Sequence, residues 1–176
     1  FLSIDCGGIS NLTDPATGIT WVTDDNYIDN SSSSIVPVYS STLPFYMQNV
    51  RVFANPHNKS CYKLPVIPNV PHLLRIGFDP GTAYALQQIP HLDFSVEAVD
   101  MVFSIKVAVN KSMEERILIT SGKVVYLCLI RYSKAYDPYI SAIELVTLEK
   151  GMYDDVNAGQ ILQLITRYDV GTTSEL

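Results

Sequence analysis

Apolar side chains take every odd position from Met101 to Val109, namely Met101, Phe103, Ile105, Val107 and Val109, with Ser104 and Lys106 between them. Successive side chains of a strand point to opposite faces, so this period of two predicts a strand with one buried face. Runs rich in β-branched and aromatic residues predict further strands at Phe1 to Asp5, Cys61 to Leu64, Leu73 to Phe78, Ile117 to Thr120, Val124 to Tyr132 and Ile140 to Leu148. Ten prolines and nine glycines punctuate these segments, and no long stretch keeps a helical period with caps at both ends. The pattern is all-β, and its spacing predicts a sandwich or jelly roll with long loops. Pro80-Gly81 is a turn signal. Ser121-Gly122 predicts a tight hairpin between the strands flanking it, and Ser31 to Ser34 reads as a surface loop.

At 176 residues the chain can bury one sizeable core, and 47% apolar against 17% charged residues suits a packed sheet protein. The net charge of −6, with no Lys/Arg run interleaved with aromatics, argues against nucleic acid as a partner. Lys106, Lys111, Arg116, Lys123, Arg131 and Lys134 fall in separate segments and are expected on a solvated face. No apolar run reaches the ~20 residues of a membrane helix. The chain opens on Phe1 and a strand-like segment, the pattern of a processed chain whose signal peptide or membrane anchor lies outside this sequence.

Four N-glycosylation sequons, at Asn11, Asn30, Asn58 and Asn110, each fall in a polar, turn-like stretch and point to the secretory pathway. The three cysteines, Cys6, Cys61 and Cys128, allow three pairings in an oxidising compartment. Cys128 lies in the apolar run Val124 to Ile130, where a cysteine commonly serves as a small core residue, so the favoured bridge is Cys6 with Cys61.

Chemistry for catalysis or metal binding is absent from the pattern. Asp14, Asp24 and Asp25 lack the alternating spacing of a calcium loop and read as solvated turns. His57, His72 and His91 show no zinc spacing, and no serine sits in a nucleophile motif. Glu114-Glu115 and Asp154-Asp155 are adjacent, so along a strand each pair faces opposite ways and cannot flank one glycosidic bond. Neither an enzyme nor a cofactor is implied.

The opening, Ser3-Ile4-Asp5-Cys6-Gly7-Gly8 through Asp14-Pro15-Ala16-Thr17-Gly18-Ile19-Thr20-Trp21 to Asp24-Asp25-Asn26-Tyr27-Ile28, resembles the start of a plant malectin-like domain. The resemblance continues, in the family's order, at Arg51-Val52-Phe53, Lys59 to Pro65, Leu73 to Phe78, Tyr126 to Leu129 and Ile140 to Leu145. It is closest to the ectodomains that precede leucine-rich repeats in plant receptor kinases. The chain departs from it after Phe78, where an aromatic, glycine-rich segment and a Trp are usual; here Asp79-Pro80-Gly81-Thr82-Ala83-Tyr84 follows, and Trp21 is the only tryptophan.

The resemblance implies a β-sandwich lobe on the extracellular side of the plasma membrane, held to it through a transmembrane segment outside this sequence. Family ectodomains commonly carry two lobes. Residues 1–151 would be the first, and 152–176, ending near Arg167-Tyr168-Asp169-Val170-Gly171, a connector toward a second, with Ile161, Leu162, Leu164 and Ile165 left exposed. Animal malectin binds a glucose oligomer through aromatics and an aspartate, and Asp137 stands at a comparable position, with Tyr136, Tyr139 and Tyr84 as companions. An aromatic ring covers the C–H face of a pyranose while a carboxylate accepts its hydroxyls. Plant members are more often associated with peptide or protein ligands and co-receptors. Three readings follow: a receptor lobe for a peptide or protein, a lectin-like module for cell-wall oligosaccharide, and a glycoside hydrolase. The first requires an exposed apolar or polar-aromatic surface, the second a concave site at Asp137, and the third two opposed carboxylates.

Overall fold

The computed structural model describes residues 1–28, 33–38, 42–54, 59–79, 81, 91–108, 112–131, 133, 135–149 and 151–165. Fourteen strands are found among them: β1 Leu2–Asp5, β2 Leu12–Thr13, β3 Thr20–Thr23, β4 Ser33–Pro37, β5 Asn49–Phe53, β6 Lys59–Pro65, β7 His72–Gly77, β8 His91–Ala98, β9 Met101–Ala108, β10 Met113–Ile119, β11 Val124–Ile130, β12 Tyr139–Ile140, β13 Ala142–Thr147 and β14 Gln160–Gln163. Among the described residues a 3₁₀ turn, Phe45–Met47, is the one helical element. No described helix is long and apolar enough to cross a membrane. The all-β expectation holds.

The strands form a seven-stranded sheet, β14-β10-β7-β13-β1-β3-β2, a four-stranded sheet, β6-β11-β8-β9, and a three-stranded sheet, β12-β5-β4. All pairings are antiparallel except that of β1 with β3. Register explains what each sheet buries. Across the seven-stranded sheet Ile76, Ile143 and Ile4 lie side by side, as do Leu74 and Leu145, and all are fully or almost fully buried. In the four-stranded sheet Tyr62, Leu127, Val96 and Phe103 form one such row, and Leu129, Phe94 and Ile105 another. These rows share one apolar core. Burying one such side chain contributes about 1.5–3 kcal/mol, so the rows outweigh any surface contact. The alternation read at Met101 to Val109 is the pattern of β9, with Met101, Ile105 and Val107 buried and Val102, Ser104 and Lys106 exposed.

The fold departs from expectation in several places. The strands flanking Ser121-Gly122 do not pair with each other, since β10 joins the seven-stranded sheet and β11 the four-stranded one. Residues 120–123 are instead a corner between sheets, fixed by Asp100, which accepts from the Thr120 hydroxyl and, at 2.7 Å, from the Ser121 N–H. Ser33 and Ser34, read as loop, begin β4, an edge strand ending at Pro37, where a missing N–H costs no ladder bond. Arg116, expected in solvent, is buried and donates to Glu114 two residues away on the same face.

The disulfide is Cys61–Cys128, and Cys6 is a free, buried thiol, which corrects the expected Cys6–Cys61 bridge. Register supplies the reason. Cys61 and Cys128 stand directly opposite on β6 and β11, with Cα atoms 4.0 Å apart, on the face away from Leu127 and Leu129. Cys6 follows β1 in the other large sheet, its N–H donating to the Ser141 carbonyl. Cys128 is buried as expected, but it faces outward from its sheet and is closed over by the bridge.

Candidate functional site

The loop between β11 and β12 carries Asp137. Its Oδ1 lies 2.7 Å from Arg131 Nη2, an ion pair whose alignment leaves that buried oxygen without a directed hydrogen bond. The carboxylate therefore meets a cation before it could meet a sugar hydroxyl. Tyr136 is half-buried and packs against the core. Tyr139 is wholly buried in β12, its hydroxyl without a hydrogen bond, and burial together with the Asp79 charge raises its pKa. It cannot present a ring to a ligand, which removes it from the expected site. Tyr84 lies outside the described residues, as do Asn30, Asn58 and Asn110. Asn11 is exposed at the start of β2, with its Oδ1 accepting from the Thr23 N–H at 3.0 Å. That bond holds the carbonyl and leaves the amide nitrogen, where a glycan attaches, turned from it.

A shallow depression of about 430 Å³ opens on the outer face of the four-stranded sheet, lined by Glu97, Ala98, Val99, Val102, Gly122, Lys123, Val124 and Tyr126. Lys63, Tyr126, Glu97 and Val102 form one lateral row, so four strands each place one side chain there. Val99 is 79% exposed, Val102 71% and Tyr126 38%, apolar and aromatic side chains in water with Glu97 between Tyr126 and Val102. Glu97 accepts from Lys59 Nζ at 2.6 and 2.7 Å and from the Ser95 hydroxyl at 2.6 Å, and these bonds hold its carboxyl below the usual range. Period-two alternation could have found this row, because Tyr126 and Val102 occupy the outward positions of strands whose inward positions are Leu127 and Phe103.

The seven-stranded sheet carries a different row. Glu115, Arg75, Glu144, Ser3 and Trp21 are lateral neighbours on its outer face. Arg75 Nε donates to Glu115 at 2.5 Å, and Nη1 lies 3.4 Å from Glu144. Trp21 stacks on Tyr46, with ring centroids 3.6 Å apart and planes within 6°. Glu115 thus faces outward to Arg75 while Glu114 faces inward to Arg116, consistent with adjacent carboxylates serving separate ion pairs.

Asp24 is the residue that sequence reading placed most wrongly. It is fully buried: Arg51 Nε donates to it at 3.0 Å and the Tyr62 hydroxyl at 2.8 Å, and a second Arg51 nitrogen reaches both Asp24 and Asp25. Asp14 is the turn residue expected, partly exposed and accepting from the Thr17 hydroxyl and the Ala16 N–H. His72 is buried, with Nε2 accepting from the Ile67 N–H and Nδ1 facing the Val70 carbonyl at 2.8 Å, a set that uses the neutral ring. Among the described residues no group of three acidic, His or Cys side chains is placed to hold a metal ion.

Comparison with known proteins bears on what these surfaces serve. Two probable LRR receptor-like serine/threonine-protein kinases of Arabidopsis thaliana are similar to this chain, one 28% identical over 87% of it and the other 26% identical over 97%. The chain spans only 18% of the length of either. Among solved structures, the extracellular domain of ANXUR2 from Arabidopsis thaliana superposes with a TM-score of 0.67 at 19% identity, covering 84% of this chain and 41% of that one. A structure of the peptide RALF23 in complex with FER and LLG2 superposes with a TM-score of 0.59 at 17% identity, covering 85% and 40%. These likenesses show the fold. The model of the malectin-like domain matches residues 4–176, and the chain belongs to that family.

Proposed function

We propose that this domain is the extracellular ligand-recognition lobe of a plant receptor-like kinase, and that it takes a peptide or protein on the outer face of the four-stranded sheet. The observation that carries the reading is the exposed patch of Val99, Val102 and Tyr126 beside Glu97 and Lys123. A shallow surface on which Glu97 stands between Tyr126 and Val102 offers a protein both apolar anchors and a charge, and a few aromatic and apolar anchors supply most of the energy of such contacts. The neighbour solved with RALF23 is a peptide complex, which supports the same ligand class and a co-receptor role for a further protein. Extracellular placement and passage through the secretory pathway follow from the same reading and agree with an exposed Asn11 sequon.

A cell-wall oligosaccharide at Asp137 is the second reading. Asp137 and Tyr136 remain its candidates, but the ion pair to Arg131 and the burial of Tyr139 count against it. On domain organisation, β14 pairs with β10 from within 152–165, so we place the end of the lobe after Gln163 and assign the remainder to a connector toward a second lobe. Leu164 and Ile165, exposed at 38% and 90%, are the residues such a lobe would cover.

The test is a screen of the secreted, glycosylated domain against a panel of synthetic secreted plant peptides and an array of cell-wall oligosaccharides. Peptide binding lost in Val102→Asp and kept in Asp137→Ala supports the proposal. Glycan binding lost in Asp137→Ala, with no peptide bound, supports the lectin reading.

A further inference from the structure

Asp5 ends β1, which pairs with β13 on one side and β3 on the other. It stands beside Ala142 of β13 and Thr23 of β3 in the sheet registers, and the turn it begins folds back so that the Gly8 N–H donates to its carbonyl at 3.1 Å. The residue is 3% exposed, and its Oδ1 is buried with no hydrogen bond. A Cβ at Gly8 would lie 2.7 Å from the Asp5 carboxyl, so the turn is closed directly onto it. Gly7, at φ +90° and with Val50 of β5 against it, makes that closure feasible for the backbone.

The groups facing this carboxyl offer no cation of its own. Asp24, after β3, adds a like charge. Arg51 of β5 is committed to Asp24 and Asp25, and the Tyr62 hydroxyl of β6 donates to Asp24. Cys6, the next residue, is a buried thiol that burial and the Asp24 charge keep protonated. A carboxylate here would be a third anion near one guanidinium, without a donor and almost without water. Burying an unpaired charge is so costly that the group takes up a proton instead. Burial, then the Asp24 charge, push the Asp5 carboxyl up to about 7.

We propose that Asp5 is a proton-operated latch at the junction of β1, β3 and β5: protonated, it lets the turn 5–8 close, and ionised, it opens that turn as extracellular pH rises. The opening unit is the turn and the segment carrying Asp24 and Asp25, because the charge gains water only if Gly8 moves off it. Acidic surroundings therefore hold the lobe closed, and alkaline shifts loosen the side where Ile35 of β4 and Val50 of β5 lie against the turn at Gly7.

The sign follows from proton counting. The folded state binds one proton more than the unfolded state between about 3.8 and about 7. Stability from Asp5 is fully present below that window, falls through it by up to about tenfold in the folding constant per pH unit, and is gone above it. His72, depressed by burial, acts in the opposite direction, losing stability as pH falls through its ordinary range. It is present in wild type and variant alike and cancels in their comparison.

The experiment is urea unfolding of wild type and Asp5→Asn from pH 4.5 to 8, with carboxyl carbon NMR titration of Asp5 and amide exchange of residues 5–8 and 24–28. The latch predicts a pH slope in wild type that Asp5→Asn flattens, a carboxyl titrating near neutrality, and exchange at those amides that rises with pH beyond its intrinsic base catalysis. Equal slopes in the two proteins, or a carboxyl titrating below pH 5, would overturn it. If Asp5→Asn does not fold, the wild-type titration and exchange decide alone.

Discussion

The inner face of the four-stranded sheet and the junction of β1, β3, β5 and β6 are both closed to water, yet they are closed by different means. The sheet buries rows of Leu, Val, Phe and Tyr, and its covalent bridge links two strands already paired. The junction buries Asp24 and Arg51 with Tyr62, plus an unpaired Asp5, and depends on each charge meeting its partner. Apolar packing tolerates small errors, while a buried ion pair leaves an uncompensated charge when either member goes. The sheet is therefore the rigid platform for the proposed ligand face, and the junction is the region sensitive to conditions.

The contrast breaks most sharply at Arg51. Arg51→Met leaves Asp24 buried without its cation and should cost about 3–5 kcal/mol in urea unfolding. Asp24→Asn added to it should recover part of that loss, and full additivity would contradict a coupled pair. Next is the bridge. Cys61→Ala with Cys128→Ala opens a loop of 67 residues and should cost about 2–4 kcal/mol with little change at the junction. The platform's surface pair should matter least. Lys59 and Glu97 are 43% and 27% exposed, so Lys59→Ala should change stability by no more than about 1 kcal/mol, less at high salt.

The sequence announced the platform far better than the junction. Met101 to Val109 could be read because a half-buried strand writes its burial in a local period of two, and Val124 to Ile130 because an apolar, β-branched run marks a strand in the core. Leu92, Phe94 and Val96 of β8 carried the same signal across His91–Ala98 and were passed over, although β8 is central to the sheet. The corner at Ser121-Gly122 misled because a turn signal says that the chain reverses, and does not say which sheet receives it. The cysteine pairing was missed since it depends on register between β6 and β11. Burial of Asp24 is set by Arg51, 27 residues away, and no local pattern carries it. Of the expected sugar set, Asp137 keeps an exposed edge, Tyr136 packs on the core and Tyr139 is wholly buried; family position alone could not separate them.

The central claim is that ligand is taken on the β6-β11-β8-β9 face. The direct measurement is hydrogen exchange of the glycosylated domain with and without the tightest-binding peptide from the panel, together with that peptide's affinity for Tyr126→Ala. The account predicts protection confined to segments around residues 97–102 and 122–126 and an affinity loss of at least about tenfold, or roughly 1.4 kcal/mol. Protection at residues 131–139 instead, with Tyr126→Ala binding as wild type, would contradict it.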